Sequence, residues 1–278
     1  MKAKIFVSSS TSLDQVSHGY SISVIPDIVC INKEEYDDYK EISPEAFYNR
    51  LVFEKDVNVK IKHRDYAYLL DLLNQAKGQG YTDFIFVLSS LELDMISDIT
   101  RLQKENKEDK IYIYQARSVS YLLGLIVLEA DKSLKNQISV EKTFNMMDEL
   151  HQIKTSDFML FKPYEDEIIS PFNYAALTMK SKGVTFIYSN NNFIQVGKVG
   201  KNGENPFKDF LKNFYEKNDG ISYQPVILYS KRNSIYMTYL RDSISIAFPK
   251  MKNIKEIALA PAVELIVKDG VGITFIAK

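Results

Sequence analysis

Several times along its first half the chain repeats one arrangement: a short apolar run stops at small hydroxyl residues, and a helix-forming stretch follows. Lys4–Val7 meets Ser8-Ser9-Ser10-Thr11-Ser12, Phe84–Leu88 meets Ser89-Ser90, and Lys110–Tyr114 is followed by Arg117-Ser118. Apolar runs this short, bounded by turn formers, are strands buried on both faces. Strands of that kind alternating with helices require a parallel sheet covered by helices, the α/β class.

The stretches between the runs fit this reading. A helix is expected from Leu13, and Ser21–Ile31, rich in Ile and Val, is expected to be one buried strand. Ser43-Pro44 opens a helix, with Ser43 as cap and Pro44 in the first turn, where its missing N–H costs nothing. Asp65–Ala76 carries Leu69, Leu70, Leu72 and Leu73 at helical spacing, and Gly78 and Gly80 end it. Helices are expected over Asp94–Lys104 and Ser118–Ala130. Ser139–Ile153 is amphipathic, with Val140, Phe144, Met147 and Leu150 on one stripe.

Beyond about Lys154 the texture changes. Val184–Tyr188 and Phe193–Val199 flank Ser189-Asn190-Asn191-Asn192, which predicts a hairpin. Helices are expected at Pro206–Lys217 and Ser234–Phe248, and strands at Pro225–Tyr229, Ile254–Leu259 and Gly272–Ile276. The expected division is therefore an α/β domain over residues 1–153 and a second over 154–278.

Several chemistries find no support in the sequence. Its 35 basic and 36 acidic residues leave a net charge of −1, so bulk electrostatics offers nucleic acid no purchase. His18, His63 and His151 follow no metal-ligand spacing, and the single Cys30 lies in an apolar run as a structural thiol. No Gly-x-Gly-x-x-Gly, P-loop or Gly-x-Ser-x-Gly occurs, so no cofactor is expected. Asp37-Asp38 and Glu165-Asp166-Glu167 are expected to be solvated, and Lys60-Ile61-Lys62-His63-Arg64 to be an exposed loop or an anion site. With no apolar run long enough to span a bilayer, and none shaped as a signal peptide, integral membrane association is not expected and a cytoplasmic location is.

The hydroxyls carry the functional argument. In open α/β sheets ligands bind at the carboxyl ends of the strands. Serines placed there either cap the next helix or meet a ligand's carboxylate or phosphate. The residues alone leave both open.

Four segments together resemble the DegV family of bacterial fatty-acid-binding proteins. Phe6–Ser12 is similar to its opening strand and Val-Thr-Asp-Ser-Thr-Ser loop. Val24-Ile25-Pro26 with Glu41–Tyr48 resembles its Val-Val-Pro and Asp-Ile-Ser-Pro-Glu-Glu-Phe-Tyr pair. Gly80-Tyr81 through Ser89-Ser90 resembles its Gly-Tyr, strand, Ser-Ser element. Arg117–Ser120 with Gly124–Ala130 resembles its Lys-Ser-Ala-Ser and Gly-Leu-Leu-Val-Leu-Glu-Ala helix. The resemblance covers residues 1–153. It implies two α/β domains holding one long-chain fatty acid or other lipid in a pocket between them. It also implies a non-catalytic carrier and, as partner, a fatty acid kinase subunit that phosphorylates the bound carboxylate.

The head-group positions depart from the family. Its carboxylate-binding Thr falls on Ile61, its second ligand Ser on Leu93, its Arg on Ile168 and its C-terminal His on Ile266, while Glu92 and Asp94 add negative charge. A carboxylate buried without donors costs several kcal/mol. Lys62, His63 or Lys268 is then the counter-ion, or the ligand is not an acid, or the chain is a scaffold that has lost its ligand. The candidate lipid-binding residues are Lys62, His63, Ser89, Ser90, Ile61 and Leu93. An enzyme acting on a phosphorylated small molecule through Ser8–Ser12 is a third reading.

Overall fold

The computed structural model describes residues 2–54, 57–89, 91–116, 118–154, 158–163, 183–189, 192–199, 223–230, 234–247, 249, 254–263 and 271–277. The chain divides into two compact units, Met1–Ile153 with Ala260–Leu265, and Lys154–Leu259 with Ile266–Lys278. The fold is α/β.

In the first unit β1 (Ala3–Ser8), β2 (Ile22–Ile25), β6 (Asp83–Leu88) and β7 (Lys110–Gln115) form an all-parallel sheet in the order β2-β1-β6-β7. Side chains alternate along each strand, so neighbouring residues feed opposite faces. Ile5, Val7, Ile85 and Val87 pack with Leu123, Ile126 and Val127 of α4 (Ser120–Lys135) and Val140 and Met147 of α5 (Val140–Lys154). Phe6, Phe84, Phe86 and Leu88 pack on the other face against α2 (Tyr66–Gly78) and α3 (Met95–Glu105). With both faces covered, the strands are nearly continuous apolar runs, which made them visible in the sequence.

Helix starts follow the expected chemistry. Ser43 accepts from the Ala46 N–H at 3.1 Å at the head of α1 (Pro44–Phe53), and Asp65 accepts from the Tyr68 N–H at 3.0 Å at the head of α2.

Three expectations are corrected. No α-helix follows Leu13; two short 3-10 turns, Ser9–Thr11 and Leu13–Gln15, carry the chain instead. Thr11 Oγ1 donates to the Ser8 carbonyl at 2.8 Å and Ser12 adopts φ 53°, local bonding that competes with a helix. Ser21–Ile31 is two strands, β2 and β3 (Ile28–Ile31), parted at Pro26-Asp27 and assigned to different sheets. Pro26 has no N–H for a ladder and Asp27 turns inward. Finally, Lys60–Lys62 is not loop but part of β5 (Val59–Lys62), which pairs antiparallel with β3, as does β4 (Glu34–Asp37).

In the second unit β10 (Asn192–Val199), β9 (Gly183–Ser189), β8 (Phe158–Pro163), β13 (Val271–Ala277), β11 (Tyr223–Tyr229) and β12 (Lys255–Ala258) form, in that order, a six-stranded sheet. β8, β9 and β10 form an antiparallel meander, which includes the expected hairpin. β11 and β12 are parallel and joined through α6 (Ser234–Ala247), as a parallel pair requires. β13 lies antiparallel between β8 and β11. The strand β8 was not anticipated. The expected helix Pro206–Lys217 lies outside the described residues.

Candidate functional site

All four parallel strands of the first unit end at one edge, and the residues just past those ends are polar and buried. Ser8 ends β1 with Ser9 and Ser10 following it, Asp27 follows β2, Ser89 and Glu92 follow β6, and Ser118 follows β7; each is at most 2% exposed. A parallel sheet places these positions side by side although 110 residues of sequence separate the first from the last.

At the centre is a carboxylate. Glu92 Oε1 accepts from Ser10 Oγ at 2.5 Å and from Ser8 Oγ at 3.0 Å. Its Oε2 accepts from Ser89 Oγ at 2.5 Å and from the Ser89 N–H at 2.6 Å. Hydrogen bonds to a charged group contribute about 1.5–3 kcal/mol each, so this set is of the same order as the penalty for burying the charge. Burial pushes the Glu92 carboxyl above its usual range, neighbouring Asp27 adds to the rise, and the Ser10 and Ser89 bonds pull against it.

Asp27 is the second buried acid. Its side chain faces Ser8 Oγ and Ser9 Oγ, each at 3.3 Å, and His63 Nδ1 at 2.9 Å. The other ring nitrogen of His63 faces the Leu91 carbonyl at 3.0 Å and Asp94 Oδ1 at 3.5 Å. Both nitrogens therefore meet acceptors and both must donate, which makes the ring an imidazolium. Burial works against that cation; Asp27, with Asp94 and Glu92, outweighs it and holds the pKa at about 9. Such a ring has no free lone pair to take a serine proton, and among the described residues no hydrogen bond links it to a serine.

Two more acids stand behind the serine loop. Asp38, expected to be solvated, is 2% exposed; burial lifts its pKa to about 7 against a bond from Ser9, with Asp27 and Asp14 adding to the rise. Asp14 is raised to about 6, chiefly by burial. Among the described residues no group of three or more His, Cys, Asp or Glu is placed to hold a metal ion.

Of the six candidate lipid-binding residues, the structure brings Ser89 and His63 to this edge, where Ser8, Ser9, Ser10 and Ser118 also lie. Lys62 points elsewhere: it is exposed on β5 and pairs with Glu35. Ile61 packs with the Val29, Phe47 and Tyr48 cluster, and Leu93 is 53% exposed. Ser90 lies outside the described residues, as do Arg117, Ile168, Ile266 and Lys268. Sequence reasoning missed the roles of Asp27 and Glu92. A signal existed at Asp27: a lone acid inside Val24–Ile31 has to be paired if that run is buried.

The serines do two jobs at once. Ser8 Oγ accepts from the Ser10 N–H at 3.0 Å and Ser89 Oγ accepts from the Leu91 N–H at 3.1 Å, which are local caps, while both hydroxyl protons go to carboxylates. The edge is thus a cradle of donors that holds the Glu92 carboxyl group.

Comparison with known proteins agrees in family and in shape. A family model described as "Uncharacterised protein, DegV family" matches residues 2–162. A DegV domain-containing protein of Clostridium perfringens is 25% identical over 162 residues; the match covers 57% of this chain and spans about half, 56%, of that relative's length. Among solved structures, a DegV family protein from Thermus thermophilus described as fatty acid binding superposes with a TM-score of 0.75 at 14% identity, covering 100% of both chains. The fatty acid kinase B3 protein of Streptococcus pneumoniae, loaded with linoleic acid, gives a TM-score of 0.70 at 12% identity, again covering 100% of both chains. At such identities the likeness is one of fold.

Proposed function

The chain belongs to the DegV family, and on that ground we propose that it binds and carries a long-chain fatty acid or other lipid and does no chemistry on it. The observation that carries the reading is the cradle at the carboxyl edge of the parallel sheet, where Ser8, Ser10 and Ser89 converge on a carboxyl group. The neighbouring imidazolium, locked between Asp27 and the Leu91 carbonyl, is not poised for acid–base work. Its two α/β domains divide near residue 154, with Ala260–Leu265 joining the first unit, and it acts in the cytoplasm. No helix among the described residues is long and apolar enough to cross a membrane. The head-group end is at Ser89, Ser90 and His63, with Ile61, Lys62 and Leu93 in the neighbouring segments. If the cargo is an acid, its partner is a fatty acid kinase subunit.

Native mass spectrometry of the purified protein tests this: an acyl species should co-purify or be taken up on titration. Protein that arrives empty and takes up no long-chain lipid sinks the carrier. One observation favours a second reading, a scaffold that has kept the fold and lost the ligand: the cradle is already filled by Glu92. The same empty spectrum would support it.

A further inference from the structure

The donors at this edge are spent on the chain's own carboxylate. Both hydroxyls of Ser8 and Ser10 and both donors of Ser89 go to Glu92, and Ser8 and Ser9 also face Asp27. The cations are spent too. His63 is bonded to Asp27 and the Leu91 carbonyl, Arg64 to the Pro26 carbonyl and Asp37, and Lys62 to Glu35. A ligand carboxylate reaching this edge would meet two buried carboxylates and no free cation among the described residues. Burying a charge unpaired is costly, and burying it beside like charges is worse.

Two neutral hydroxyls near this edge, those of Ser118 and Ser120, are buried without a partner among the described residues; each serine is at most 1% exposed. Ser118 follows β7, the sheet neighbour of β6, and Ser120 opens α4. That helix packs on the serine loop so closely that a Cβ on Gly124 would lie 2.9 Å from the Thr11 carbonyl. A buried hydroxyl without a partner is an unusual expense in a folded protein. A serine hydroxyl both donates and accepts, so it suits an alcohol or an ester carbonyl.

We propose that Glu92 is a built-in head group: it occupies the serine cradle and thereby selects a lipid with an uncharged head, an alcohol, ester or acylglycerol, which the Ser118 and Ser120 hydroxyls meet. This rests on the carrier reading and names its cargo.

The test compares oleic acid with 1-oleoylglycerol, which share one acyl chain, on the full-length wild type and on Glu92→Ala and Glu92→Gln. Wild type should bind the glyceride at least about tenfold more tightly than the acid, a difference worth about 1.4 kcal/mol. Glu92→Ala, which empties the cradle and removes the charge, should shift that ratio toward the acid by about tenfold or more. Glu92→Gln should shift it less, because the cradle stays filled. Ser118→Ala with Ser120→Ala should weaken the glyceride more than the acid. A wild type that binds acid as tightly as glyceride overturns the proposal and leaves the carrier standing; so does a ratio unmoved by Glu92→Ala. Should that variant fail to fold, the wild-type ratio and the serine pair decide alone. If neither lipid binds to any of the proteins, the carrier reading falls and the proposal falls with it.

Discussion

Asp38 and His63 show how burial makes single residues answer to pH in the same direction. The Asp38 carboxyl titrates near 3.8 when exposed and at about 7 when folded, so the folded chain holds that proton more tightly. Its contribution to stability is complete below about pH 4 and is lost as pH rises through 7, by about 4 kcal/mol at most. His63, raised from 6.5 to about 9, contributes fully below pH 6.5 and loses its contribution as pH rises through 9. Both terms weaken the fold as pH increases. Asp38→Asn keeps the bond from the Tyr39 N–H, 2.9 Å long, and removes the titration. Urea unfolding should therefore find Asp38→Asn more stable than wild type at pH 8, with the gain shrinking toward pH 5; a gain that is equal at both pH values would contradict this account. The sequence pointed to Ser8, Ser89 and His63 because loop hydroxyls past strand ends are a local pattern. Glu92 and Asp38 were hidden because what matters there is burial, and an acid's burial depends on segments far along the chain.

At the scale of elements, most of the first unit could be anticipated. Strands covered on both faces are apolar throughout, and caps such as Ser43 and Asp65 announce helices within a few residues. The failures fall where local and distant interactions compete. Leu13 does begin a turn, but Thr11 and Ser12 keep it from becoming a helix, and the buried Leu13 side chain serves instead as the surface against which Gly124 lies. That contact gives α4 a testable dependence. A Cβ at residue 124 would meet the Thr11 carbonyl at 2.9 Å and the Leu13 side chain at 3.0 Å. Alanine is the better helix former by about 1 kcal/mol. Overpacking costs about 1–3 kcal/mol, and a backbone carbonyl yields less readily than a side chain. Gly124→Ala should thus be destabilising by up to about 2 kcal/mol in denaturant unfolding; a stabilised variant would mean that α4 sits further from the serine loop.

For the whole molecule, the two units differ in how their sheets are assembled. The first sheet is built from β1, β2, β6 and β7, all made within residues 3–115. The second has β13, the last strand, paired on one side with β8 and on the other with β11. Periodicity could reveal β13 as a strand but not its place, since pairing partners are chosen by the folded chain. That placement has a consequence for synthesis. At about 5–20 residues per second, a ribosome needs roughly 5 to 20 s to travel from Pro163 to Val271. Throughout that interval the inner edge of β8 faces an absent neighbour, with backbone groups available to any other strand edge. Ribosome-bound chains arrested before Val271 should be cut by protease within 158–229 while residues 3–115 resist, and arrest beyond Ala277, with the exit tunnel cleared, should protect both. Equal protection at the two arrest points would mean that β8 and β11 find some other partner before β13 emerges.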